Sequence, residues 1–261
     1  MTVTINRPKS LNSINVPTLK ELDQVFRVDL DRKLNSVRVV ILTGSGEKSF
    51  SSGLDLTCPS VRAIFVPEEI SSAGIRATFL KRAINELQSP IMAISEFPRP
   101  VICAINGLCI GLGMDIATAC DIRVCAEGAT FSVREVKIGI CADLGSLYFF
   151  PRVCRNDSWV REVCFTGRIF SATEARENGL VSAVIPGISL LKQAEKIAKS
   201  IEDNEPVAVE GTKINLNKGS RGTLRESMEF VSQWNSVRLQ ETDIIGRAIS
   251  KFMEDRGKSR L

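Results

Sequence analysis

Pro100-Val101-Ile102-Cys103-Ala104-Ile105-Asn106-Gly107-Leu108-Cys109-Ile110-Gly111-Leu112-Gly113-Met114-Asp115 reads as an apolar strand that runs into a glycine-rich turn and then opens a helix. The strand, Val101 to Ile105, follows Pro98 and Pro100, and the helix is expected to begin within Gly111 to Gly113. Outward from this stretch, Thr2 to Asn6 and Val37 to Thr43 are β-branched and apolar, and the amphipathic run Val16 to Leu34 between them predicts a helix. Downstream, Asp121 to Cys125 and Thr130 to Val133 predict short strands and Gly145 to Val153 a short helix. The class is α/β, with repeated strand, strand, helix turns in place of a regularly alternating Rossmann sheet. From about Leu190 the texture becomes charged and helical, over Leu190 to Glu202 and Leu224 to Arg256, which divides the chain into a core, 1–189, and a helical region, 190–261. Val61 to Ser72, with Pro67 and small residues, reads as a mobile surface loop.

Composition bounds the chemistry. The chain has 261 residues, 44% hydrophobic, and 34 Lys and Arg against 30 Asp and Glu give +4. That balance does not fit a nucleic-acid partner, whose basic residues would be numerous and clustered, but it suits an anionic small ligand. No stretch approaches the ~20 apolar residues of a membrane span, and Thr2-Val3-Thr4-Ile5 shows no secretory pattern, so a soluble protein is expected. Eight cysteines lack the paired spacing of a zinc site or redox dithiol, and most, including Cys103, Cys109, Cys120, Cys125, Cys141 and Cys164, are expected to be buried reduced thiols. There is no histidine, so acid–base work falls to carboxylates, Lys, Cys or the single Tyr148.

Three features could carry chemistry. Phe50-Ser51-Ser52-Gly53-Leu54-Asp55-Leu56 follows an apolar strand, and Gly53 would let the backbone turn and present a free N–H; an ordinary strand-exit turn reads the same way. The helix opening at Gly111-Leu112-Gly113 offers unpaired N–H groups and a dipole suited to a developing negative oxygen, although glycine there also serves close packing. The third feature is a set of carboxylates, Asp115, Glu135 and Asp143. Against a catalytic reading, Asp143 could cap the helix that follows it, and Glu135, between Arg134 and Lys137, could be a solvated surface charge. Asp121 beside Arg123 reads as structural.

Together these stretches resemble the enoyl-CoA hydratase/isomerase (crotonase) superfamily over nearly the whole chain. Asn6-Arg7-Pro8 with Leu11 to Asn15 is similar to its opening signature, Val39 to Gly44 to its second strand, and Phe50 to Leu56 to its first oxyanion loop. Pro100 to Gly107 with the Gly111 turn and Thr118 to Arg123 resembles its most specific segment, and Phe165 to Arg168 with Gly179-Leu180-Val181 the part beyond the site. The resemblance implies a spiral of strand–strand–helix turns, a helical C-terminal region that builds trimers or hexamers, an acyl-CoA thioester substrate and no cofactor or metal. Leu54 and Leu112 would be the backbone N–H donors of the oxyanion hole, with Ser52, Gly53, Gly111 and Gly113 at the substrate. Leu112 departs from the family, which usually has glycine there; its N–H remains, while its side chain restricts φ and adds bulk near the thioester.

Asp115 and Glu135 also occur in the family's hydratases, so Asp143 separates the branches: the dienoyl-CoA isomerases carry aspartate in a run similar to Ile140 to Gly145. Trp234-Asn235, Leu239-Gln240 and Asp243-Ile244 resemble that isomerase's late helix. The implied reaction is 3,5-dienoyl-CoA to 2,4-dienoyl-CoA, with Glu135 as base at C2, Asp143 as acid at C6, the two roles being exchangeable, and Asp115 tuning or orienting Glu135. A 2-enoyl-CoA hydratase and a non-catalytic acyl-CoA-binding protein are the alternatives. Arg7 and Lys9 are candidates for the adenine end of CoA. Ser259-Arg260-Leu261 is a variant of the peroxisomal Ser-Lys-Leu address, which implies an import receptor as partner.

Overall fold

The computed structural model describes residues 1–33, 36–65, 72–219, 222–240, 246, 249–250 and 252–253. They form two compact units, Met1–Val209 and Glu210–Leu261.

The first unit is built on two sheets. Strands β1 (Thr2–Ile5), β2 (Val40–Gly44), β4 (Val101–Ile105), β6 (Ile122–Ala126) and β9 (Ala183–Ile185) lie side by side in that order, all parallel. Strands β3 (Ser49–Ser51), β5 (Leu108–Ile110), β7 (Thr130–Ser132) and β8 (Phe170–Ser171) form the second, with only β7–β8 antiparallel. The chain thus places β2, β4 and β6 in one sheet and the strand after each in the other, which is the expected spiral. The first sheet is covered on both faces, so its strands are continuous apolar runs. Alternate side chains serve different layers: Val40, Leu42, Val101, Cys103 and Ile105 join the main core, while Ile41, Ile102 and Ala104 pack against Leu190 and Ala194.

The helices of this unit are α1 (Val16–Gln24), α2 (Pro59–Phe65), α3 (Ala73–Glu96), α4 (Leu112–Ala119), α5 (Ser146–Val153), α6 (Asp157–Thr166), α7 (Ala172–Glu177) and α8 (Leu190–Glu202). The helix expected over Val16 to Leu34 is interrupted: Asn15 caps α1 by accepting from the Thr18 amide, and Val25–Asp29 then widens into a π turn closed by Leu30 N–H on the Val25 carbonyl at 2.8 Å. The loop expected over Val61 to Ser72 begins instead as helix, because α2 runs to Phe65; 66–71 lie outside the described residues. α3 has no counterpart in the sequence reading.

α8, assigned by its charged texture to the C-terminal region, packs on the first sheet, and the compact unit continues to Val209. α9 (Pro206–Gly219) crosses that boundary, and α10 (Leu224–Arg238) opens on a reciprocal capping box between Thr223 and Glu226. Within the second unit a β-carbon on Gly211 would lie in the Trp234 indole. Asp243-Ile244, most of the expected helix beyond Arg238, and Ser259-Arg260-Leu261 fall outside the described residues. Among the described residues no helix is long and apolar enough to cross a membrane. All eight cysteines are free; of the six expected inside, Cys141 is exposed and the others are buried.

Candidate active site

The glycine turn does what its sequence suggests. Gly111 takes φ +54 and ψ −121, a conformation side chains avoid, and so ends β5 and starts α4 within one residue. Leu112 is the first residue of α4, so its N–H has no carbonyl within the helix to bond. It is not among the positive-φ residues, and its side chain, 2% exposed, is packed in the core. Gly53, at φ +93, brings the other turn against it: a β-carbon on Gly53 would sit 2.8 Å from the Ile110 carbonyl oxygen and 3.5 Å from the Leu112 nitrogen.

Leu54 is aimed by its neighbours. Ile14 N–H donates to the Gly53 carbonyl and Asp55 N–H to the Ile14 carbonyl, both at 2.8 Å. Residues 53 and 55 are thereby tied to the N-terminal segment, and alternation along an extended chain turns the Leu54 N–H the other way. Arg7 tightens the tie by donating to the Ser13 carbonyl at 2.5 Å and the Asp55 carboxylate at 3.1 Å. The Arg7 guanidinium thus braces the loop.

A cavity of about 480 Å³ opens beside these two turns. Ser52, Gly53, Leu54, Gly111 and Leu112 line it, and so do Glu135 and Asp143. Glu135 begins a short 3-10 turn, Glu135–Ile138, closed by Gly139 at φ +86. Its carboxylate lies over Gly111, where a β-carbon would come within 3.0 Å of Oε1, and its Oε2 is buried without a hydrogen-bond partner among the described residues. Burial pushes Glu135 above the ordinary glutamate value, and the Asp143 charge adds to that. Burial likewise raises Asp143. A solvated-charge reading of Glu135 does not fit these surroundings.

Asp143 does not cap α5. That helix starts at Ser146, whose amide and hydroxyl both donate to Asp115 Oδ1, at 2.6 and 2.7 Å. Asp115 is 1% exposed, outside the cavity lining, and burial pushes it up to about 7 against the opposing pull of the two Ser146 bonds. Gly113 also lies outside the lining; it packs on Ser51, whose carbonyl oxygen would be 2.9 Å from an added β-carbon. Two contributors were not read from the sequence. Gln88 on α3 donates to the Asp143 carbonyl at 2.6 Å, and Ser146 secures Asp115; both join residues too far apart in the chain for a local motif to announce them. Asp121 is structural as expected, accepting from the Val101 amide at 2.8 Å. Among the described residues no group of three or more His, Cys, Asp and Glu side chains could hold a metal ion.

The model of the family described as enoyl-CoA hydratase/isomerase matches residues 1–259. The chain belongs to this family. It is 39% identical over 254 residues to the mitochondrial Delta(3,5)-Delta(2,4)-dienoyl-CoA isomerase of Rattus norvegicus, covering 97% of this chain and 76% of that protein. It is 38% identical to the peroxisomal Delta(3,5)-Delta(2,4)-dienoyl-CoA isomerase of Arabidopsis thaliana, covering 97% and 89%. Among solved structures, an enoyl-CoA hydratase from Bacillus anthracis superposes with a TM-score of 0.82 at 30% identity, covering 97% of this chain and 92% of that one. The crotonase fold and the standing of this chain as an enzyme of the hydratase/isomerase family follow from these matches and from the spiral described above.

Proposed function

We propose that this enzyme converts a 3,5-dienoyl-CoA to the 2,4-dienoyl-CoA by moving a proton from C2 to C6. The observation that carries the reading is the pair Glu135 and Asp143 on one cavity that Leu54 and Leu112 also line. Glu135 removes the C2 proton. The electron pair passes onto the thioester oxygen, where the Leu54 and Leu112 N–H groups stabilise the charge as it develops. Collapse of that trienolate re-forms the carbonyl and leaves double bonds at C2 and C4 as C6 takes the proton from Asp143. The pair resets when the proton on Glu135 is returned to Asp143. One carboxylate must begin ionised and its partner neutral. Burial raises both, and the Asp143 charge raises Glu135 further, a direction that suits the exchanged roles, with Asp143 as base and Glu135 as acid, equally well. Asp115, bonded to Ser146 and outside the cavity lining, is a positioning residue, whereas the hydratase reading asks Asp115 and Glu135 together to hold its water.

The test offers 3,5-dienoyl-CoA and 2-enoyl-CoA side by side and follows the conjugated-diene absorbance against hydration. Asp143→Asn and Glu135→Gln should each lower isomerisation by ~10²–10⁴-fold with acyl-CoA binding retained. Water addition to the 2-enoyl ester, without isomerisation of the diene, discards the proposal.

The rat and Arabidopsis relatives carry different addresses in their names. We infer a peroxisomal or related microbody location on Ser259-Arg260-Leu261. A fluorescent protein ending in this chain's last residues should enter peroxisomes, and deleting Leu261 should leave it diffuse; a diffuse intact fusion overturns the inference.

A further inference from the structure

Two cavities of the first unit share a side chain. The cavity bearing Glu135 and Asp143, and a second of about 290 Å³ between α1, α2 and α3, both have Leu87 of α3 in their walls. Leu87 is 4% exposed and belongs to the main core. α2 completes the partition, with Val61 and Phe65 on the first cavity and Ile64 on the second. The second cavity is apolar along Val16, Leu19, Ile64, Ala83 and Pro90, and is rimmed by Lys20, Asp23 and Glu86.

The cavity lining gives the acyl chain its room. The Leu112 nitrogen faces Gly53, Glu135 lies over Gly111, and Leu87 lines the same cavity as Glu135 and Asp143. A thioester held at Leu54 and Leu112 with its C6 at Asp143 thus has Leu87 in the wall that its remaining carbons can meet.

We propose that Leu87 is the end wall of the acyl site and fixes the chain length the enzyme accepts, with the groove behind it as the space a longer chain enters when the wall is lowered. The proposal deepens the acyl-CoA reading and rests on it. Each methylene moved from water to an apolar surface strengthens binding about fourfold. Affinity should therefore climb with chain length until the tail meets Leu87, and then level off.

The experiment titrates saturated acyl-CoA esters, from short to very long, into the intact protein by calorimetry, a readout independent of turnover. In Leu87→Ala the plateau should move to longer chains, with a gain of about tenfold or more for the longest esters, while the shortest change by less than about twofold. Truncating a buried leucine is costly. If that variant does not fold, Leu87→Val should show a smaller shift in the same direction, which Ala83→Leu, narrowing the groove from behind, should remove. A folded variant whose plateau stays in place, or one that weakens for all lengths alike, overturns the role of Leu87 and leaves the acyl-CoA reading standing. Failure of the unaltered protein to bind any acyl-CoA ester overturns both.

Discussion

Asp115 is the residue whose placement departs furthest from what its neighbours in the chain suggest. It stands in the first turn of α4, where a carboxylate commonly faces solvent near the positive helix end; here it points inward and closes the start of α5. The partner that explains it, Ser146, is 31 residues away, which is why the sequence shows the carboxylate but not the job. Its titration has a measurable consequence. Burial raises the folded-state value to about 7 from an ordinary 3.8, so the folded protein holds this proton more tightly than the unfolded chain does. The contribution is complete below about pH 4 and is lost as pH rises through about 7, an effect on the order of 4 kcal/mol at most. Asp115→Asn keeps an oxygen for Ser146 and removes the titration. Denaturant unfolding of both proteins across this range should show stability falling with pH in the parent relative to the variant; parallel profiles would contradict the assignment.

At the scale of elements, the segment from Arg7 to Ile14 acts as a splint for the loop that carries Leu54. Leu11 and Asn12 both adopt φ +54, and Asn12, fully buried, donates to the Ser45 and Ser49 carbonyls at 2.9 and 2.6 Å while accepting from the Arg7 amide. Such strained backbone persists where its surroundings over-determine it. Arg7 is thus a positioning residue, and Arg7→Ala should lower kcat by up to ~10²-fold through the misplaced Leu54 donor, with Arg7→Lys recovering part of the loss. Equilibrium acyl-CoA affinity should change far less than kcat; an equal loss in both would assign Arg7 to binding. Residues 7–15 were legible as a signature, but the positive-φ turn that makes them useful was not, since Leu11 gives no sign of it and Asn12, though a residue type that tolerates such angles, is common elsewhere too. α3 escaped for a different reason. Its apolar residues Ala83, Leu87, Ile91 and Ile94 keep helical spacing only in its second half, which also contains Pro90, whereas 73–79 are exposed. Leu87 and Gln88 stayed hidden with it.

For the molecule as a whole, what could be read was what repeats. Buried parallel strands are apolar without a break, so Val40–Gly44 and Val101–Ile105 lie where their composition placed them, and the glycine turns at 53 and 111 stood out because only glycine accepts those angles. The boundary between units was less legible, because α8 looks like a surface helix in composition and yet buries Leu190 and Ala194 against the first sheet. The parallel order has a consequence for how the protein comes into being. Thr2 pairs beside Ile41, Val40 beside Val101, and Val124 beside Ala183, so three of the four pairings of the first sheet join distant chain, and only β4–β6, with Ile102 beside Ile122, is closer. Those three must each close a long loop before any contact rewards it, which makes for slow acquisition of the native state. During synthesis Val40–Gly44 leaves the ribosome well before β4 exists to cover its free edge, and the nascent chain is most exposed to self-association in that interval.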